Sequence, residues 1–222
     1  VESFKCFASL ALPLRPMTLL SGTNGGGKSS VIQALVLLTH TLTKHEWSTA
    51  LLLDDPELSL GTAADVLNQR SATRQLCLGA TAGSDRVDWT FSAQDRRALS
   101  LKLSSVTVGE ARMPLSPPLR WLLPQAVAEK SDVVRALRRT TWITAERTGP
   151  RELLPLRDPS SHRRVGSRGE LAAGLLYWQG DDPVRPVLLV QDQPPTLHQQ
   201  VRARMKQFFP GAVQYGAARS MG

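Results

Sequence analysis

Cysteine is nearly absent, with only Cys6 and Cys77 in 222 residues. A disulfide framework needs a denser, evenly paired set, and this pair has no metal-ligand spacing, so both read as buried thiols. No run approaches the roughly 18 consecutive apolar residues of a membrane-spanning helix. The N-terminus lacks the basic region, apolar core and small-residue cleavage site of a signal peptide. A cytoplasmic protein with no membrane partner is therefore expected. His40, His45, His162 and His198 neither pair with cysteines nor form His-Glu-x-x-His, which removes the common zinc patterns and leaves surface or satisfied polar residues. An initiator Met is missing before Val1 and no terminating element closes Ser220-Met221-Gly222, so the expectation is a part of a longer protein.

At 41% hydrophobic and 21% charged, the composition is that of a globular chain able to bury a core. The net charge of +8 and pI near 10.2 favour polyanionic partners, nucleic acid or nucleotides. Arginine outnumbers lysine 21 to 6, a skew that a GC-rich genome produces as readily as phosphate recognition does.

Gly22-Thr23-Asn24-Gly25-Gly26-Gly27-Lys28-Ser29-Ser30 fits the Gly-x4-Gly-Lys-Ser pattern of a phosphate-binding loop. Its flanks suit that role: Met17–Ser21 reads as a short buried strand, and Val31, Ile32, Ala34, Leu35 and Leu38 give an amphipathic helical pattern. The glycines let successive backbone N–H groups face phosphates, and the following helix adds the positive end of its dipole. In this reading Lys28 reaches the β- and γ-phosphates of ATP and the Ser29 hydroxyl ligates Mg²⁺.

The loop alone does not name an enzyme. The Asp-x-x-Gly and Asn-Lys-x-Asp motifs of GTPases are absent. A small-acceptor kinase is compatible with the length, with Arg135–Arg139 or Arg163–Arg168 as a phosphate clamp. An ABC-type ATPase needs a Leu-Ser-x-Gly signature closely followed by an apolar strand ending in Asp-Glu. Leu58-Ser59-Leu60-Gly61 matches the signature, but no such strand follows it, and it reads as a loop leading to a helix start. Val187–Gln191 reads as a buried strand ending at Asp192, a place for a Mg²⁺-positioning carboxylate, although the polar turn Gln191–Pro195 explains the same residues.

Elsewhere, Phe4–Phe7 and Ser9–Leu12 resemble strands, and Arg74–Thr81, Arg86–Ser92 and Leu99–Val108 read as an antiparallel meander inserted after the first helix. The Pro-rich stretch Met113–Pro118 marks a boundary, and Gln125–Leu137 and Thr196–Phe209 carry helical patterns. The expected architecture is an α/β P-loop NTPase domain over 1–222. Strand, loop and helix occupy 1–50, the antiparallel β subdomain 51–112, and a mixed α/β continuation 113–222.

Three stretches carry a family resemblance: Ser3–Phe7 with Leu19–Leu35; Leu51–Pro56 with Leu60–Val66; and Ile143–Arg151 with Val165–Glu170. They resemble the SMC/Rad50-like ABC ATPases of the AAA15/OLD-like group, the DUF3696-type predicted ATPases, over Ser3 to about Leu171. Thr23 stands where many relatives have Pro. The resemblance implies an ATPase head cut before its signature and acidic strand, an ATP-sandwiching second head in a homodimer or higher oligomer, and a DNA-related or anti-phage defence role. A nuclease or toxin effector partner would accompany that role, though nothing in the sequence identifies one. The alternatives are the kinase and a nucleotide-gated nucleic-acid clamp.

Glu146, Arg147 and Arg151 follow the β-rich Thr140–Thr144, where polar residues past a strand end lie near a ligand crevice. Glu146 is a catalytic or Mg²⁺ candidate beside Asp192; the competing reading pairs it with an arginine to fix the Gly149-Pro150 turn. The run Arg163-Arg164 to Arg168 reads equally as a DNA contact and as a solvated loop.

Overall fold

The fold comes from a computed structural model, which describes residues 1–55, 58–71, 73–116, 118–149 and 164–209. The chain divides into two units, Val1–Thr140 and Thr141–Gly222. In the first, β1 (Glu2–Phe4) and β2 (Phe7–Ser9) precede the long helix α1 (Lys28–Lys44). Then come β3 (Ala50–Leu52), the short pair β4 (Asp54–Asp55) and β5 (Leu58–Ser59), and a one-turn helix α2 (Ala63–Val66). The meander β6 (Gln75–Ala82), β7 (Asp85–Ser92), β8 (Ser100–Val108) and β9 (Ala111–Met113) leads to the hairpin β10 (Leu119–Arg120) and β11 (Leu123–Pro124). Helices α3 (Gln125–Ala128) and α4 (Asp132–Arg139) complete the unit.

The main sheet runs β2-β1-β6-β7-β8-β3, with β9 also on β8, and every pairing in it is antiparallel. Strands β3 and β6–β9 of the segment 51–112 are thus continuous with β1 and β2 in one sheet, while β4 and β5 pair separately. Alternation decides which face is buried: Leu76 and Leu78, Val87, Trp89 and Phe91, and Leu101 and Leu103 point inward from neighbouring strands. The register shifts between Thr90 and Phe91, where the Ser104 hydroxyl bonds Thr90 O at 3.0 Å. This bulge moves the inward parity of β8 from Leu103 to Val106.

Helix α4 lies on β6 and β7, and α1 packs against α4 and β3. Ser131 caps α4 by accepting from Val134 N at 3.2 Å, while Asp85 Oδ2 accepts from Ser131 Oγ at 2.7 Å and Val133 N at 3.1 Å. A carboxylate at the helix start and Arg138 and Arg139 in its last turn both complement the helix dipole. This cap also breaks the expected single helix Gln125–Leu137 into two.

The far end of α1 is fixed by the β10–β11 hairpin. Its two-residue tip, Trp121 and Leu122, takes positive φ at both positions, 53° and 61°, as a tight twisted hairpin requires. Bulky residues tolerate this only where the surroundings over-determine it. Here Leu122 is fully buried, its carbonyl accepts Trp89 Nε1 at 3.2 Å, and Trp121 N donates to Glu46 O at 2.6 Å. The Arg120 guanidinium lies 4.1 Å from the Trp121 ring centroid and bonds Glu46 at 2.5 Å and Glu129 at 2.8 Å.

Several expected elements differ. Met17–Ser21, before the glycine-rich loop, forms no strand, and Met17 and Leu19 are 84% and 81% exposed. An extended apolar run becomes a strand only against a neighbour that takes its N–H and C=O groups, and no described strand pairs with it. In place of the expected strands Phe4–Phe7 and Ser9–Leu12, Glu2–Phe4 and Phe7–Ser9 form one tight hairpin turning at Lys5-Cys6 and Leu10–Leu12 is not strand; Cys6 is exposed and Cys77 half-buried rather than both buried. Burial, with Glu2 and Asp88 nearby, raises the Cys77 thiol pKa above its ordinary value.

In the second unit, α5 (Ala172–Gln179) and α6 (Leu197–Phe208) pack together, and Gln200, nearly buried, bonds Val190, Gln193 O and Pro194 O. Val187–Val190 is not a buried strand: Pro186–Leu188 is an exposed 3-10 turn, since Pro186 lacks a ladder donor and favours such a start. Thr140–Thr144 likewise pairs in no ladder. Among the described residues no helix is long and apolar enough to cross a membrane.

Candidate functional site

The glycine-rich loop leads directly into α1. Gly22, Gly25 and Gly27 take φ of 149°, 80° and 86°. Gly27 has a second reason to be glycine: a Cβ there would lie 2.6 Å from Phe7 Cζ and 2.8 Å from Cys6 Sγ. The loop is thus backed by the tip of the β1–β2 hairpin. Gly26 N donates to Thr23 O at 3.2 Å, curling the chain over Thr23–Gly26.

Lys28, the first helical residue, turns its ammonium back over this curl and donates to Gly22 O and Thr23 O, both at 2.7 Å. A cation is thereby held above the start of α1. That helix has no side chain capping its N-terminus and no acidic residue in its first turn, while Ser29 is exposed and Ser30 half-buried. The first turn of a helix leaves N–H groups unpaired within the helix, and a dipole equivalent to roughly half a positive charge adds to them. Helix start, Lys28 and the Ser29 hydroxyl together present positive potential and donors with no carboxylate in the first turn, an arrangement chemically suited to an anion.

The hairpin tip is itself anchored. Lys5 N donates to Val66 O at 2.8 Å, and Lys5 Nζ donates to Gln33 Oε1 on α1 at 2.8 Å. Partial burial pulls the Lys5 pKa below its ordinary value, with Asp65 opposing. Asp65 accepts the Thr62 N–H and hydroxyl at 2.8 Å each, and these bonds hold its carboxyl below the usual range. The Leu58–Gly61 stretch is accordingly the short strand β5 and a left-handed Gly61, φ 83°, entering α2.

Glu146 and Asp192 belong to the second unit, the loop to the first. Glu146 pairs with Arg168 at 3.3 Å, both side chains being more than half exposed. The segments around Glu146 and Arg168, Ile143–Gly149 and Val165–Glu170, lie side by side, through Thr144 N to Ser167 O at 2.8 Å and Thr148 N to Arg168 O at 2.9 Å. Pro150, Arg151, His162 and Arg163 fall outside the described residues. Asp192 is exposed at φ 60°, a left-handed turn position that Asp tolerates through local hydrogen bonding. Among the described residues no three His, Cys, Asp or Glu side chains converge as a metal-ligand set. The contacts of Phe7, Cys6 and Asn68 with the loop or its backing were not expected from sequence, because nothing in local spacing links Asn68 to a turn 63 residues earlier.

No family model matches the chain, and neither do any curated protein or solved structure.

Proposed function

We propose that the chain binds ATP with Mg²⁺ at the Gly22–Ser30 loop and acts as an ABC-type ATPase head. The observation that carries this reading is the ammonium of Lys28 held over the curl of Gly22–Gly26 at the uncapped start of α1. Phosphate oxygens would replace the two loop carbonyls as acceptors, and the N–H groups at the uncapped start of α1 would add to the attraction of the same charge. Ser29 is the residue fitted to hold Mg²⁺, which when bound neutralises charge on the phosphate oxygens. Glu146 and Asp192 stay candidate carboxylates, and the proposal assigns the catalytic base to neither. Dimerisation of two heads, with a DNA-related or defence role, extends the proposal on the resemblance alone.

Ser29→Ala tests the metal reading. With the hydroxyl gone, the gain in ATP affinity on adding Mg²⁺ is expected to shrink by about tenfold, while metal-free ATP binding stays close to wild type. Titration of ATP across a Mg²⁺ series measures it. Superimposable magnesium curves for the two proteins would remove Ser29 from the metal's coordination.

A further inference from the structure

We propose that Asn68 is a positioning residue for the phosphate loop, acting through the tip of the β1–β2 hairpin; the inference rests on the nucleotide reading above. Asn68 is a buried polar residue, 5% exposed, beyond the end of α2. Its Nδ2 donates to Lys5 O at 2.8 Å and its Oδ1 accepts Arg70 N at 2.9 Å. Its backbone N donates to Ser3 O at 3.0 Å and its carbonyl accepts Ser71 N at 3.1 Å. Every polar group of the residue is therefore used, and two of the bonds reach across to the hairpin.

What those bonds hold is strained. Ser3 and Lys5 take positive φ, 56° and 47°, without being glycine. Such residues persist only when surrounding bonds over-determine them. Asn68 Nδ2 and Val66 O grip Lys5 from both of its backbone groups. The next two residues, Cys6 and Phe7, are those that pack against Gly27, one residue before Lys28. The chain of contact runs from Asn68 to the Lys5 carbonyl, through the turn to Cys6 and Phe7, and onto the backbone that places Lys28 and the first N–H groups of α1. The Thr62–Asp65 bonds start α2 and so deliver Val66 and Asn68 to this spot.

Release of the turn is expected to let the wall behind Gly27 move, which loosens the donor set. Asn68→Ala should then weaken MgATP binding by about tenfold, the range seen when outer supports of a site are removed. Asn68→Asp separates positioning from a local structural role. It keeps an acceptor for Arg70 N but loses the donor to Lys5 O, so it should bind as weakly as Asn68→Ala. Asp85→Asn, which loosens the α4 cap instead, controls for stability and should leave ATP affinity unchanged. Calorimetric titration with thermal melts reads all four proteins. Full ATP affinity in Asn68→Ala, or rescue by Asn68→Asp, overturns the inference while the nucleotide reading stands; a wild-type chain that takes no ATP overturns both. Should the Asn68 variants not fold, amide exchange on the wild type decides. MgATP is expected to slow exchange at Lys5 and Asn68 together with the loop, and protection confined to the loop contradicts the coupling.

Discussion

Lys28→Ala is expected to lose ATP affinity by a factor of about a hundred or more while keeping its fold. A hydrogen bond to a charged group is worth about 1.5–3 kcal/mol, and the ammonium would serve more than one phosphate oxygen, so its removal costs about two or more decades of affinity. Among the described residues its partners are the Gly22 and Thr23 carbonyls on an exposed loop, which water can serve after truncation. Melting should therefore shift little. Calorimetry on the folded variant provides the comparison, and an unchanged dissociation constant would take Lys28 out of the site.

Trp89→Ala is expected to cost most of the stability of the first unit. The ring is fully buried on the central strand β7, among Leu78, Val106 and the β10–β11 tip. Emptying such a site costs about 3–5 kcal/mol in lost transfer and cavity energy. The Leu122 carbonyl, orphaned beneath it, adds about 1–3 kcal/mol. Against a typical total of about 5–15 kcal/mol, this leaves a marginal domain. The hairpin tip should suffer with it, since the left-handed pair Trp121-Leu122 relies on that bond. Urea denaturation followed by circular dichroism should give a strongly lowered midpoint or no cooperative transition, with Trp89→Phe intermediate. A midpoint within error of wild type would mean that Trp89 is not the centre of the core.

The meander was legible because its strands alternate between apolar and polar residues on either side of the β8 bulge, and because Gly83 takes the left-handed conformation at the β6–β7 turn. The loop and α1 were legible for the same local reason: glycines, a lysine and a helical apolar stripe sit within a few turns of one another. Met17–Ser21 and Val187–Val190 were misread because a short apolar run does not encode its own partner. The hairpin at Lys5-Cys6 was hidden by its residues, since neither Lys nor Cys signals a turn, and the bonds that impose it come from Val66 and Asn68. The support behind Gly27 was invisible for that reason, whereas Gly27 itself was conspicuous.

The central claim is that Gly22–Ser30 reads phosphates, and the affinities of the wild-type chain for ATP, ADP and AMP in Mg²⁺ test it most directly. On that proposal the Lys28 ammonium and the start of α1 would address the phosphates beyond the first, so ATP and ADP should bind within about tenfold of each other and AMP at least about a hundredfold more weakly. Equal affinity for all three, or none for any, would contradict it.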